Sequence, residues 1–171
     1  MNARRPLMSI ASILLLLSIG SSASAADLAS LAIDCDRRFE VDITLTNDTT
    51  GDVPLWQSQL PWSLSSPSLR VRAYATSDGK ASALTDGYPP ATYLGEETLR
   101  PGQTMSGTVD LRRIFADLEA SARESQVAVI LEVAHLPLPR KREDLRFSRW
   151  LLLIPKQSLF FAECPALVRL D

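Results

Sequence analysis

Apolar and polar residues alternate one by one along much of the chain between its two cysteines, and this period of two is the feature that most constrains the fold. The segment FEVDITLTN carries apolar residues at every second position, and SLRVRAYAT and QVAVILEVAHL repeat the arrangement. Because successive side chains of a β-strand point to opposite faces, the alternation predicts strands that bury one face and expose the other. The inward residues it predicts are Phe39, Val41, Ile43 and Leu45, then Leu69, Val71 and Ala73, and then Val127, Val129, Leu131 and Val133.

Turn signals separate these segments and predict how they connect. NDTTGD follows the first strand and leads to the short strand VPLW, and SDGK ends the strand SLRVRAYAT. The segments ETL and TMSGTVDL flank the turn RPGQ, so they are predicted to form a hairpin. LRFSRWLLLI is predicted to pair with QVAVILEVAHL across the segment that joins them.

Only LRRIFADLEASARE has helical spacing, with Leu111, Ile114, Phe115 and Leu118 on one side and Asp110 placed as the N-cap. The whole pattern predicts an all-β chain: an antiparallel immunoglobulin-like β-sandwich of about seven or eight strands, with one short connecting helix near 111–124.

Residues 1–25 have the organisation of a secretory signal peptide. A short positive region precedes the apolar run Ile10–Ile19, and the small residues Ala23 and Ala25 precede a predicted cut after residue 25. The apolar run is shorter than the roughly 20 residues that span a bilayer, so we expect no stable membrane insertion once the signal is removed. Residues 26–171 are then expected to form a single exported domain.

The charge of the exported part argues against one class of partner. Cleavage would leave 171 − 25 = 146 residues, removing two of the 18 basic residues and none of the 20 acidic ones, so the net charge would be 16 − 20 = −4. An acidic domain lacks the dominant basic face that nucleic-acid binding needs. We therefore expect no nucleic acid as a partner. The predicted signal peptide makes the protein periplasmic or secreted, so the expected partner is another exported or envelope protein.

The two cysteines, Cys35 and Cys164, allow three interpretations. In an oxidising compartment a lone pair of cysteines usually forms a disulfide. Metal binding would require further ligands, but His135 is the only histidine, and redox chemistry usually requires C-x-x-C spacing. A structural disulfide is the favoured interpretation.

Turn motifs give the chain a resemblance to a known kind of module. ITLTNDTTGDVPLWQSQLPWS, SLRVRAYATSDGK and TLRPGQTMSGTVDL resemble a bacterial immunoglobulin-like β-sandwich. It occurs in the BsuPI type of proteinase inhibitor and beside secreted metallopeptidases of the deuterolysin type. The resemblance implies a binding or inhibitory role, and the H-E-x-x-H zinc helix of the metallopeptidases is absent from this sequence. The matching positions, within roughly Phe39 to Val133, are Leu45-Thr46-Asn47, Asp78-Gly79 and Pro101-Gly102-Gln103.

The sequence offers little support for a catalytic site. A Ser-His-Asp arrangement would need His135 as its base, but this residue ends an apolar strand, where a structural role is the more common one. The sequence has no glycine-rich phosphate loop and no metal-ligand motif. We expect a chain that is not an enzyme, with no catalytic residue, no metal and no cofactor.

The stretch PLWQSQLPWSL holds the first group of candidate binding residues. Trp56 closes a short strand and is predicted to be the core tryptophan, while Trp62 follows Pro61 in a loop and is predicted to be exposed. An exposed tryptophan beside Gln57 and Gln59 would suit a protein interface. The alternative is that Trp62 only covers the end of the sandwich.

The stretch LPLPRKREDLRF holds the second group. It joins two strand patterns, so it is predicted to connect a long hairpin, and Arg140, Lys141 and Arg142 are followed by two acidic residues. The local charge is too small for strong attraction to phosphate or lipid. Its role is either that of a solvated hairpin tip or that of a protruding, protein-facing loop.

Three hypotheses about function follow. The first is an exported, non-catalytic binding module of inhibitor or immunity type that acts on a peptidase or a wall-degrading enzyme. The second is a structural or assembly component of the cell envelope that recruits another chain through an exposed edge strand. The third is a hydrolase that the sequence does not reveal.

Overall fold

A computed structural model describes residues 29–63, 66–88, 95–135, 146–156 and 163–170. The predicted signal peptide lies outside these ranges. The described part contains ten strands: β1 Ala29–Ile33, β2 Glu40–Thr46, β3 Val53–Trp56, β4 Leu69–Ser77, β5 Lys80–Ala83, β6 Glu96–Leu99, β7 Thr104–Asp110, β8 Gln126–Ala134, β9 Phe147–Ile154 and β10 Ala166–Arg169. It also contains the 3-10 turns Gln57–Gln59 and Leu111–Arg113 and the helix α1, Leu118–Glu124.

The strands form three antiparallel sheets. Sheet I has the order β1-β2-β7, sheet II has the order β10-β9-β8-β4-β5, and the small sheet pairs β3 with β6. The fold is therefore all-β and sandwich-like with one short α-helix, as the alternating pattern predicts. The predicted pairing of β8 with β9 is also confirmed, with Leu131 opposite Trp150.

One hydrophobic core joins the sheets. The inward residues predicted for β2, β4 and β8 are all buried, and Val41, Ile43, Val129 and Leu131 have no exposed surface. The buried apolar residues of β3, β6, β7 and β9 belong to the same core. Burying an aliphatic side chain stabilises the fold by about 1.5–3 kcal/mol, so these rows dominate the packing energy.

Three strands were not predicted, because they lack a clear alternation. All four residues of β5 are exposed, so only backbone pairing with β4 and the turn between the two strands hold β5 in place. In that turn Asp78 has φ 53° and Gly79 has φ 72°. Two positive φ values in a two-residue connection are typical of a type I′ turn, whose twist matches the flanking strands. The strands β1 and β10 are short edge strands near the two ends of the described chain.

The predicted hairpin between ETL and TMSGTVDL is wrong, although its turn exists. The backbone N–H of Gln103 donates to the Arg100 carbonyl at 3.0 Å, and Gly102 has φ 73°. The flanking strands do not pair with each other: β6 pairs with β3, and β7 pairs with β2.

Asn47 connects the two ladders at this point. Asn47 is buried and its Nδ2 donates to the carbonyls of Gly51 and Leu99, at 2.8 and 2.7 Å. Its backbone N–H donates to the carbonyl of Gln103 at 3.0 Å. One residue therefore joins the turn after β2 to the turn after β6, at the point where the β2–β7 ladder ends and the β3–β6 ladder begins.

The predicted helix near 111–124 is divided into two pieces. Asp110 is confirmed as a cap, since its carboxylate accepts the N–H of Arg112 at 3.0 Å, but it caps a single 3-10 turn. The α-helix begins only at Leu118 and has seven residues. The four apolar residues of the predicted helical face are nevertheless all buried, namely Leu111, Ile114, Phe115 and Leu118.

The disulfide between Cys35 and Cys164 is confirmed, with Cα atoms 4.9 Å apart and a sequence separation of 129. It ties the segment after β1, in sheet I, to the segment before β10, in sheet II. Neither cysteine is available as a metal ligand or a thiol nucleophile. Among the described helices, none has the length and apolar character needed to cross a membrane.

The bridge gives a first prediction. Replacing both cysteines by serine should lower the free energy of unfolding by about 4–5 kcal/mol, because a cross-link that closes so long a loop restricts the unfolded chain most. Chemical denaturation of the oxidised protein and of the Cys35→Ser/Cys164→Ser variant measures the difference. Two titratable thiols in the denatured, unreduced protein would contradict the account.

Candidate functional site

The structure contradicts the predicted burial of Trp56 and places Trp62 between the two alternatives that were open for it. Trp56, predicted to be the core tryptophan, is 38% exposed on the outer face of the small sheet, opposite Glu96. Trp62, predicted to be exposed, is partly buried and packs against the core. The reason is strand parity: Val53 and Leu55 already take the inward positions of β3, so the next residue points outward. The buried tryptophan of the sandwich is Trp150, in β9.

Trp62 lies directly on the backbone of β7 at Gly107. A Cβ atom added at Gly107 would overlap three atoms of the indole ring. Gly107 stands opposite Ile43 in the ladder and so lies on the core side of sheet I. The missing side chain leaves a gap in this strand, and the indole of Trp62 fills it. The sequence signal was the glycine inside TMSGTVDL, because a glycine within a strand often marks close approach by another group.

A set of hydrogen bonds holds the segment that carries Trp62. The carbonyl of Gln59 accepts hydrogen bonds from the hydroxyls of Ser66 and Ser68, the first at 2.7 Å. Both serines are buried, and the backbone N–H of Ser63 donates to the Leu60 carbonyl at 2.8 Å. These bonds hold the chain before and after Trp62.

An open cleft of about 380 Å³ lies beside the ring, between the small sheet and β7. Its wall is part apolar and part polar, and it contains a carboxylate that sequence reasoning missed. Glu97 in β6 accepts a hydrogen bond from Nε2 of Gln57. The lining residues are Gln57, Leu60, Trp62, Ser63, Glu97, Met105 and Ser106.

Only some of the candidate residues of PLWQSQLPWSL therefore line the cleft. Gln57 and Trp62 line the same cleft, whereas Gln59 does not, since its side chain turns back and accepts the backbone N–H of Trp56 at 3.4 Å. Gln59 supports the segment through its carbonyl. The other candidates, Arg140, Lys141 and Arg142, lie outside the described residues, so their role stays a prediction.

His135 occupies a position that does not suit catalysis. Its Nε2 lies 2.8 Å from the hydroxyl of Ser148 on the neighbouring strand, so a histidine and a serine do meet. Ser148 is only 3% exposed, and a nucleophile must reach its substrate. The backbone N–H of His135 also donates to the Arg146 carbonyl at 2.8 Å, which closes the base of the β8–β9 connection.

The outer face of sheet I carries a second group of polar side chains, and these are paired with one another. Arg112 contacts Glu40 at 3.0 Å and Asp110 at 2.8 Å, and Arg37 contacts Asp42 at 2.7 Å. The hydroxyl of Thr108 and then the Arg37 guanidinium lower the pKa of the Asp42 carboxyl, outweighing its slight burial. Exposed ion pairs of this kind contribute about 0–1 kcal/mol each. Within the part of the chain that the structure describes, no group of three or more His, Cys, Asp or Glu is placed to hold a metal ion.

No family model matches the chain, and no curated protein matches it.

The contact between Trp62 and Gly107 gives a second prediction. Gly107→Ala should displace the ring and destabilise the fold by about 1–3 kcal/mol, because overpacking forces neighbouring atoms to move. Gly51→Ala is the matched control, since a Cβ at Gly51 meets no atom within 4 Å. Thermal unfolding followed by tryptophan fluorescence measures both variants. Equal stability of the two would show that Trp62 does not lie on Gly107.

Proposed function

We propose that the chain is an exported, non-catalytic binding module that takes a side chain of another exported or envelope protein into the cleft beside Trp62. The proposal rests on one observation: the indole ring of Trp62, which lies against Gly107, and the carboxylate of Glu97 line the same open cleft. A site that is formed before binding loses little conformational entropy when the partner arrives.

The chemistry of the cleft favours a lysine or arginine side chain. Trp62 and Met105 offer apolar surface to the methylene stem, and Glu97 offers a negative charge to its head. An aromatic face also attracts a cation directly. A basic side chain of the partner would therefore have apolar surface for its methylene stem and a negative charge for its head group.

Other features support export and the absence of catalysis. A disulfide is typical of proteins that fold in an oxidising compartment, which agrees with the predicted signal peptide at residues 1–25. The buried position of Ser148 disfavours a Ser–His nucleophile at the only histidine. With the resemblance to BsuPI-type inhibitors, these features favour an inhibitor or immunity-type role toward a peptidase or a wall-degrading enzyme.

Two neighbouring glutamates of β6 provide the test. Glu97→Lys should weaken capture of the partner from a periplasmic extract by about tenfold or more, because a like charge would face the basic side chain. Glu96→Lys is the matched control, since it makes the same change of charge on the opposite face of the same strand. The captured protein is identified by mass spectrometry, and its affinity for each variant is measured by surface plasmon resonance.

The outcome separates the proposed surfaces. A soluble one-to-one complex that is lost with Glu97→Lys and kept with Glu96→Lys supports the cleft as the binding site. Equal binding by both variants would exclude the cleft. Loss of binding with Glu96→Lys alone would place the partner on the face that carries Trp56.

A further inference from the structure

The outer face of sheet II is apolar where a solvated sheet face would be polar. The buried rows of β8 and β9 alternate with residues that point away from the core, and two of these on each strand are aliphatic, with Gln126, Glu132 and Arg149 beside them. Val168, Leu151 and Ile130 are cross-strand neighbours in one row, and Ala166, Leu153 and Ala128 are neighbours in the next. Cross-strand neighbours share one face of a sheet, so the two rows form one continuous patch.

The outer face of sheet I shows the contrast. There the cross-strand pairs are Thr44 with Ser106 and Asp42 with Thr108, and each pair is joined by a side-chain hydrogen bond. An antiparallel sheet commonly turns such a polar face to water. The apolar patch therefore distinguishes sheet II from sheet I. Val168 at its edge is 48% exposed, and Ala128, Ile130, Leu151 and Leu153 are partly exposed. Contiguous exposed apolar surface of this kind marks interaction sites.

We propose that this face docks on the same face of a second copy of the chain. A two-fold axis that runs across the strands, between the two apolar rows, brings each row opposite the other row of the partner copy. Ile130 then faces Ala128 of the other copy, and Leu151 faces Leu153. Large residues thus meet small ones on β8, which is how two sheet faces interdigitate.

The residues that flank the patch are complementary under the same symmetry. Arg72 and Tyr74 continue the two rows on β4, so the axis places each arginine opposite a tyrosine ring of the other copy. Arg70 comes to lie opposite Thr76 and near Asp78 in the β4–β5 turn, while Lys80, the first residue of β5, lies on the other face of the hairpin. Glu132 is neutralised within its own copy by Arg149, at 3.0 Å.

A closed dimer requires a surface that is complementary to itself, and this face meets that condition.

The size of the face fits a dimer of moderate strength. Five strands about 4.8 Å apart and nine residues at about 3.3 Å along β8 outline at most about 700 Å². A standard interface buries about 800 Å² on each partner. We therefore expect an equilibrium between monomer and dimer that depends on protein concentration.

Sedimentation velocity and light scattering of the purified protein over a range of concentrations up to about 200 µM test the inference. Leu151→Arg and Ile130→Arg should each weaken dimerisation by about tenfold or more, because each brings an unpaired charge into an apolar interface. Ser30→Arg is the matched control, since it places the same side chain on the exposed outer face of sheet I, in β1. Circular dichroism and thermal unfolding verify that each variant is folded.

Arg70→Glu, a second variant on the rim, should also weaken the dimer without touching the apolar rows. A wild-type protein that stays monomeric at the highest concentration would overturn the inference. So would a dimer that Ser30→Arg weakens as much as Leu151→Arg does. The binding cleft lies between the small sheet and β7, away from sheet II, and a monomer that still binds its partner through Glu97 would leave the proposed function intact.

Discussion

The packing of two sheets through their inward side chains is the constraint on which the rest of the structure depends. Val41 and Ile43 from sheet I and Val129 and Leu131 from sheet II are completely buried in one core. Because β-strands alternate, fixing these residues inward fixes every neighbouring residue outward. The surface features are thus consequences of the core: a shift of one residue in the register would exchange the two faces.

Strand parity decides which residues can serve a function. Glu97 lines the cleft and Glu96 lies outside it because they are adjacent on β6. Trp56 is exposed because Leu55 takes the inward position before it. The apolar outer face of sheet II arises in the same way, since Ile130 alternates with the buried Val129 and Leu131. The cleft and the apolar face lie on different sheets, so one copy could bind a partner while it is paired with another copy.

The sequence predicted what depends on local pattern. The inward rows of β2, β4 and β8 and the cap at Asp110 could be predicted because alternation and capping are visible within a few consecutive residues. The disulfide could be predicted because the chain has only two cysteines. The pairing of β6 and β7 could not be predicted correctly, since each pairs with a strand far away in the sequence, and Asn47 contacts Leu99 and Gln103 more than 50 positions away. The turn itself was recognised correctly, but turn chemistry does not determine which strands pair across it.

The cleft could be predicted only in part, for the same reason. Gln57 and Trp62 were selected for their residue types, whereas Glu97 and Met105 come from segments about 40 positions further along the chain. No local pattern in the sequence indicates that β6 and β7 lie beside the segment after β3. Gly107 in β7 was the one sequence signal. It could not be interpreted from its neighbours in the sequence, because the indole ring that lies on it belongs to Trp62, in a different part of the chain.

The central claim is that the core fixes Trp62 on β7 and thereby forms the cleft before a partner binds. Nuclear Overhauser effects between the indole protons of Trp62 and the Hα protons of Gly107 test it most directly, in the free protein. We expect strong effects to Gly107 and to the Met105 side chain, with the Gly107 Hα resonances shifted upfield by the ring current. The absence of these effects, with a Trp62 indole as accessible to acrylamide as that of Trp56, would contradict the claim.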